Sequence, residues 1–125
     1  MSACIVGWDH LKFGKRSDED IEDMIVQVAS GAINDAGIEP KDVDAIYLGT
    51  FGGGFVQQEF PASLVLQASE DLRFKPATHV ENACATGSAA LYQGINQIAA
   101  SKARIVLVVG VEKMTDVSGE VLGGI

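Results

Sequence analysis

Cys84 is the residue whose setting most favours covalent chemistry. It lies in the segment Asn82-Ala83-Cys84-Ala85-Thr86-Gly87-Ser88, where small side chains follow a β-prone run and precede a helical pattern. A thiol at the start of a helix meets unpaired N–H groups that stabilise a thiolate. Gly87 and Ser88 would leave room near the main chain, and the N–H of Cys84 would donate to a developing oxyanion. The pattern predicts a reactive cysteine for acyl transfer, while a tightly packed core cysteine fits the same spacing equally well.

The other cysteine and the two histidines are expected to have structural roles or to be solvated, and not to take part in catalysis. Cys4 lies in the apolar run from Ala3 to Trp8 and is predicted to be a buried residue of a first strand. His79 lies on the strand that approaches the reactive segment and is expected to pack in the core or against the strands. His10 is expected to be solvated in a loop. Two cysteines are too few for a disulfide scaffold, and no Cys/His cluster has zinc spacing, so no metal site is predicted.

Glu112 and the glycine-rich loop could suggest further chemistry, but both favour a structural reading. Glu112 follows an apolar strand, at the carboxyl edge of the sheet where α/β sites gather, and is interpreted as a structural residue. The loop Gly52-Gly53-Gly54 lacks the repeated glycine spacing and the Lys-Ser/Thr pair of phosphate-binding loops. A mobile loop near a subunit interface is the expectation for it.

The elements that would position Cys84 alternate between strands and helices. Such an alternation with short connections favours an α/β fold, with a mostly parallel sheet and helices on both faces. Ser17 resembles a helix N-cap, Gly37 supplies a left-handed stop, and Gly49 is expected to end the second strand. The predicted strands are Ala3 to Trp8, Ala45 to Leu48, Ala77 to Glu81 and Ile105 to Val109. The first predicted helix starts at the Ser17 cap and carries an apolar stripe from Ile21 to Ala36, and two more are predicted from Pro61 to Ala68 and from Ser88 through Ala99.

Composition limits the classes of partner. The 125 residues carry a formal net charge of −8, which argues against nucleic acid or an anionic membrane surface. Apolar residues make up 47% of the chain, as in a globular domain, and the longest apolar run is too short to span a membrane. With no N-terminal targeting segment recognised, cytoplasm is the expected location; an organellar signal would lie beyond residue 125.

Two segments together resemble the N-terminal half of a thiolase. The first runs from Asn82 to Leu91, and the second is Gly110-Val111-Glu112-Lys113-Met114-Thr115. The similarity is greatest to the sterol-carrier-protein type and to bacterial and archaeal acetyl-CoA acetyltransferases, and it extends over the whole chain. It implies that residues 1–125 are an incomplete thiolase-like N-terminal domain, the first part of a five-layered αβαβα fold.

The resemblance also implies a reaction. Cys84 would be the nucleophile that takes an acyl group from an acyl-CoA, with its main-chain N–H in the oxyanion hole and with Gly87 and Ser88 forming the turn. A second acetyl-CoA would then attack the acyl group to give a 3-ketoacyl-CoA, or the reverse reaction would cleave one. Coenzyme A would enter as substrate, and no bound cofactor is implied. No residue is assigned to coenzyme A binding.

The resemblance assigns part of the reaction to residues that this sequence does not contain, and it leaves two other interpretations beside the acyltransferase. Thiolases take their activating His, a thioester-holding Asn or His and an acid/base Cys from a C-terminal half that this sequence does not contain. The 125 residues alone are therefore expected to be inactive, and the complete protein to form homodimers or homotetramers. A ketoacyl synthase of the same fold is the second interpretation. A catalytically silent thiolase-like subunit that binds acyl-CoA or a partner chain is the third.

Overall fold

Parallel strands flanked by helices form the body of the chain. The computed structural model describes residues 2–52, 55 and 58–120. Within that range the α-helices and strands are α1 (Ile21–Ala36), β1 (Ala45–Thr50), β2 (Ala77–Glu81), α2 (Thr86–Ala99) and β3 (Val106–Gly110). A 3-10 helix at Pro61–Ala68 lies between β1 and β2.

The three strands form one parallel sheet in the order β2-β1-β3. Leu48 on the central strand pairs with His79 on one side and with Val109 on the other. Because the strands are parallel, their carboxyl ends meet at one edge, where ligand sites of such sheets form. This arrangement confirms the predicted α/β class and places the segments after Thr50, Glu81 and Gly110 side by side.

Helices cover both faces of the sheet, as the alternation predicted. Side chains alternate along β1, so that Ile46 and Leu48 pack towards α1 and the 3-10 helix, while Tyr47 belongs to the second cluster, on the α2 side. The first cluster contains Ile21, Ile25, Ala29, Ile33, Val43, Ile46, Leu48, Ala62, Val65, Leu72, Leu107 and Val109. The second contains Ala45, Tyr47, Ala90 and Ala103.

Helix α1 confirms the predicted stop but corrects the predicted cap. Gly37 adopts a left-handed conformation with φ of 68°, which ends the helix. The N-cap is Asp20, not Ser17. The Asp20 carboxylate accepts a hydrogen bond from the N–H of Asp23 at 2.8 Å, and the Asp23 carboxylate accepts one from the N–H of Asp20 at 2.9 Å. These reciprocal bonds satisfy two groups that a serine three residues earlier could not reach.

Helix α2 lies on the sheet through small residues. Thr86, Ala90 and Gly94, spaced four residues apart, form its buried face. A Cβ on Gly94 would come within 3.1 Å of the Val108 side chain, so the helix and sheet are already in contact there. The larger apolar side chains of α2 point away from the sheet, and Leu91 and Tyr92 are exposed.

The N-terminal run is not the buried first strand that its composition predicts. Residues 2–10 form no strand, and Ile5, Val6 and Trp8 are exposed. Both sides of β1 are occupied by β2 and β3, so this segment has no place at the centre of the sheet. It lies against α1 instead, where the N–H of Trp8 donates to the Asp35 carboxylate at 3.0 Å. Cys4 is consequently exposed, which corrects its predicted burial.

The predicted helix that begins at Pro61 differs in detail. Pro61–Ala68 is helical, but in the tighter 3-10 form rather than as an α-helix. Its eight residues are too few for a stable α-helix to form on local propensity alone, and the buried Val65 fixes it against the core. Of the predicted glycine loop, Gly53 and Gly54 lie outside the described residues, as do residues 121–125.

Candidate active site

Cys84 lies where the sequence predicted it, between the end of β2 and the start of α2. It is the middle residue of the 3-10 turn Ala83–Ala85, and α2 begins two residues later at Thr86. The Cys84 side chain is exposed and forms no disulfide. An exposed thiol contradicts the alternative of a packed core cysteine and leaves the sulfur accessible to a substrate.

The turn that carries Cys84 holds a strained residue. Ala83 has φ of 45°, in the left-handed region that a side chain with a Cβ seldom adopts. Such a conformation costs about 1–2 kcal/mol and persists only where surrounding contacts fix it. The turn therefore needs bonds from outside its own residues.

The hydroxyl of Thr86 supplies those bonds. Its Oγ1 accepts a hydrogen bond from the N–H of Asn82 at 2.8 Å. It also lies 2.7 Å from the carbonyl oxygen of Ala83 and 2.9 Å from that of Thr50, and its single hydrogen donates to these acceptors. The side chain is buried, at 6% exposure. One hydroxyl thus joins both sides of the turn to the central strand.

Gly49 makes the close approach of Thr86 to β1 possible. A Cβ at position 49 would overlap the Thr86 methyl group and would lie 3.1 Å from the Thr86 carbonyl oxygen. The sequence prediction that Gly49 ends its strand is wrong, because the strand continues to Thr50 and Gly49 pairs with Val80 and Gly110. The glycine is required by the helix that packs on it and not by a turn.

Gly87 and Ser88 lie in the first turn of α2 and are exposed. A Cβ on Gly87 would meet nothing within 4 Å, so this side of the cysteine is open. Ala85, the N-cap, makes no side-chain capping bond to the helix. The positive end of the α2 dipole is therefore free of a capping side chain beside the thiol, which favours negative charge on a substrate oxygen there.

A second group of polar residues lies at the same edge of the sheet. His79 Nε2 and Thr50 Oγ1 are 2.7 Å apart, and the Glu112 carboxylate accepts a hydrogen bond from the N–H of Phe51 at 2.8 Å. Together with Ile21, Pro61 and neighbouring residues they line a small cleft. Burial raises the pKa of Glu112, and the Phe51 N–H and nearby His79 partly oppose that increase.

These contacts support a structural role for Glu112 and refine the one expected for His79. Glu112 is half-buried and bonds main chain, as a structural residue would. His79 is exposed, so it is not a core residue; it bridges β2 to β1 through Thr50. His10 is exposed, as expected, with its ring 4.8 Å edge-on from Phe13. Neither histidine, among the hydrogen bonds of the described residues, is bonded to Cys84.

Sequence reasoning missed Thr50 and Thr86. Their bond connects positions 36 residues apart, which no local pattern reveals. The available signal was a threonine two residues after the cysteine, at the first position of a helix, where a hydroxyl commonly bonds main-chain groups. Across the described ranges, no three His, Cys, Asp or Glu side chains come together as a metal site requires. No described helix is long and apolar enough to cross a membrane.

Comparison with known proteins assigns the chain to a family. The family model described as "Thiolase, N-terminal domain" matches residues 3–122. The chain belongs to the thiolase N-terminal domain family. This thiolase domain is 44% identical over 114 residues to the acetyl-CoA acetyltransferase of Methanothermobacter thermautotrophicus, a match that covers 90% of the chain but 30% of that relative. The chain therefore spans about three tenths of the length of this relative.

Solved structures share the fold of the thiolase domain. The 3-oxoacyl-(acyl-carrier-protein) synthase III of Aquifex aeolicus superposes with a TM-score of 0.70 at 31% identity, over 82% of this chain and 32% of that one. The acetyl-CoA acetyltransferase of Syntrophomonas wolfei superposes with a TM-score of 0.71 at 22% identity, over 83% and 27%. The second likeness shows the fold alone.

Proposed function

We propose that the protein is a thiolase-type acyltransferase in which Cys84 carries the acyl group. The observation that supports this most is an exposed thiol at the N-terminus of α2 in a chain of the thiolase N-terminal domain family. In the first step the Cys84 thiolate attacks the thioester carbonyl of an acyl-CoA. The tetrahedral intermediate collapses to a Cys84 thioester, and the coenzyme A thiolate leaves and takes a proton.

The second step makes the carbon–carbon bond. Acetyl-CoA loses a proton from its methyl carbon, the carbanion attacks the acyl-enzyme carbonyl, and the Cys84 thiolate leaves. The product is a 3-ketoacyl-CoA, and thiolysis by coenzyme A is the reverse reaction. In both directions the main-chain N–H of Cys84 and the first turn of α2, with Gly87 and Ser88, stabilise the oxyanion.

We infer that the 125 residues do not turn over by themselves. No described His or carboxylate side chain bonds Cys84, so a base to deprotonate the thiol and an acid/base for the second acetyl-CoA must come from elsewhere. The chain's length relative to its acetyltransferase relative supports the same inference. Acetyl-CoA is the proposed substrate and a second copy of the protein the proposed partner.

Intact mass and peptide mapping after incubation with acetyl-CoA test the proposal. A thioester on Cys84 is expected in the natural full-length protein, and its loss is expected in Cys84→Ala. Cys4→Ala is the matched control, because Cys4 is also an exposed thiol but lies in the N-terminal segment. Acyl groups on Cys4, or acylation that persists in Cys84→Ala, would contradict the proposal.

A ketoacyl synthase is the second candidate, favoured by the likeness to the Aquifex synthase. The two candidates differ in the carrier of the acyl group. Acylation rates measured with acetyl-CoA and with an acetylated acyl carrier protein distinguish them. A preference for coenzyme A supports the acetyltransferase, and a preference for the carrier protein supports the synthase.

A further inference from the structure

We propose that Thr86 is the positioning residue for the Cys84 thiol, with Gly49 providing the space that Thr86 needs. The inference rests on the proposed function of Cys84, but it concerns a residue that does not touch substrate. Thr86 acts through the main chain of the turn, because its hydroxyl bonds the N–H of Asn82 and the carbonyl oxygen of Ala83, the two residues before the cysteine.

The first support is the strain in the turn. Ala83 immediately precedes the cysteine and is held in the left-handed region. A relaxed Ala83 would rotate the peptide that leads into Cys84 and would move the sulfur away from the start of α2. Thr86 Oγ1 lies 2.7 Å from the Ala83 carbonyl oxygen and 2.8 Å from the Asn82 nitrogen, so it opposes that rotation from both sides.

The second support is the connection to a rigid element. Thr86 Oγ1 also lies 2.9 Å from the main-chain oxygen of Thr50, at the end of β1. This strand is the centre of the sheet and is paired on both sides. The turn is thus positioned relative to the sheet through a buried hydroxyl. A buried main-chain group left there without a hydrogen-bond partner would destabilise the folded state.

The third support is Gly49, since no β-carbon fits beneath the Thr86 methyl group. A Gly49→Ala substitution would push Thr86 and the start of α2 outward. Replacing threonine by serine removes the methyl group but keeps the hydroxyl. A serine at position 86 should therefore partly relieve an alanine at position 49, leaving only the 3.1 Å approach to the Thr86 carbonyl.

The test measures the rate of acyl-enzyme formation from acetyl-CoA in the natural full-length protein, as a function of acetyl-CoA concentration. Thr86→Val keeps the shape of the side chain and removes the hydroxyl. We expect its maximal acylation rate to fall about 10- to 100-fold, with the half-saturating concentration changed less than about twofold. Thr78→Val, the same change at an exposed position of β2, is the control and should leave both values unaltered.

A second comparison uses Thr86→Ser and Thr86→Ala, two variants that differ from each other only by one hydroxyl group. Thr86→Ser should retain the maximal rate within about threefold, while Thr86→Ala should lose it like the valine variant. Gly49→Ala should lower the rate, and adding Thr86→Ser to it should recover part of the loss. A serine variant as slow as the alanine variant, or a valine variant as fast as wild type, would overturn the proposal.

The alkylation rate of Cys84 by iodoacetamide separates this inference from the proposed function. If wild-type protein takes no acetyl group, the acyltransferase proposal fails. If Thr86 nevertheless positions the thiol, the alkylation rates of wild type and Thr86→Ser, which have a hydroxyl at position 86, will still differ from those of Thr86→Ala and Thr86→Val, which lack it. If wild type is acetylated and the alkylation rates do not depend on the hydroxyl, Thr86 has no positioning role and the acyltransferase proposal stands.

Discussion

The carboxylate of Glu112 accepts a hydrogen bond from the main-chain N–H of Phe51, 2.8 Å away, and so joins the segment after β3 to the end of β1. These two residues are 61 positions apart in sequence. The bond fixes the segments that follow two neighbouring strands at the edge of the sheet where Cys84 also lies.

Glu112 predicts a measurable dependence of stability on pH. Burial raises the pKa of its carboxyl group in the folded protein, so the folded state binds this proton more tightly than the unfolded state. The free energy of unfolding should therefore decrease as pH rises from the ordinary Glu value of about 4.3 through the raised pKa. Relative to wild type, Glu112→Gln should gain stability over this range. Denaturant unfolding at a series of pH values measures it, with exposed Glu59→Gln as the control.

Asp44 should show the opposite dependence. Its carboxylate accepts hydrogen bonds from the N–H groups of Arg104 at 2.8 Å and Ile105 at 3.1 Å, and these bonds lower the pKa of Asp44. The stabilisation is present above the ordinary Asp value of about 3.9 and is lost as pH falls through the lowered pKa. At neutral pH Asp44→Asn should reduce the free energy of unfolding by about 1 kcal/mol. An unchanged value, equal to that of the exposed control Asp18→Asn, would contradict this.

His79 is predicted to have no part in activating the nucleophile. Its Nε2 bonds Thr50 Oγ1, and no hydrogen bond of the described residues joins it to Cys84. His79→Ala should cost about 1 kcal/mol in unfolding free energy and should leave the Cys84 acylation rate within about threefold of wild type. Thermal unfolding and acylation kinetics on the same sample provide both values. A loss of acylation as complete as in Cys84→Ala would assign His79 to the chemistry.

The 125 residues, expressed alone, should associate through the exposed face of α2. Leu91 is 39% and Ile95 41% exposed, four residues apart on one side of the helix. A contiguous apolar face of this kind usually leads to association. Sedimentation at micromolar concentration should detect species larger than a monomer, and Leu91→Gln with Ile95→Gln should reduce them. Phe74→Asn, which removes a single exposed aromatic side chain elsewhere, should not.

Elements defined by local pattern were predictable, and those defined by distant partners were not. The apolar stripe of α1 and its glycine stop determine that helix within their own sequence, and β2 begins and ends as its composition indicates. The run from Ala3 to Trp8 has the same strand-like composition, yet a strand also needs a neighbour. The composition of the run does not determine whether a neighbouring strand is available to pair with it. The segment lies along α1 instead.

The candidate site also combines features that the local sequence predicts with features that depend on distant contacts. Cys84 and its position before a helix follow from seven consecutive residues. The contact of Gly49 with Thr86, and the bond from Thr86 to Thr50, arise only when β1 and α2 pack together. A glycine inside a strand signals a close approach, but the sequence does not say which residue approaches.

The exposure of the N-terminal segment determines the intrinsic fluorescence of the chain. Trp8 is the only tryptophan of the chain, and 70% of it is exposed. Indole fluorescence in water is emitted at longer wavelength than in an apolar environment, so the intrinsic emission of this chain reports on that one segment. A partner that covers residues 5 to 8 would shift the emission to shorter wavelength and protect it from a quencher such as iodide. The chain thus contains a spectroscopic probe at an exposed apolar run, without any label.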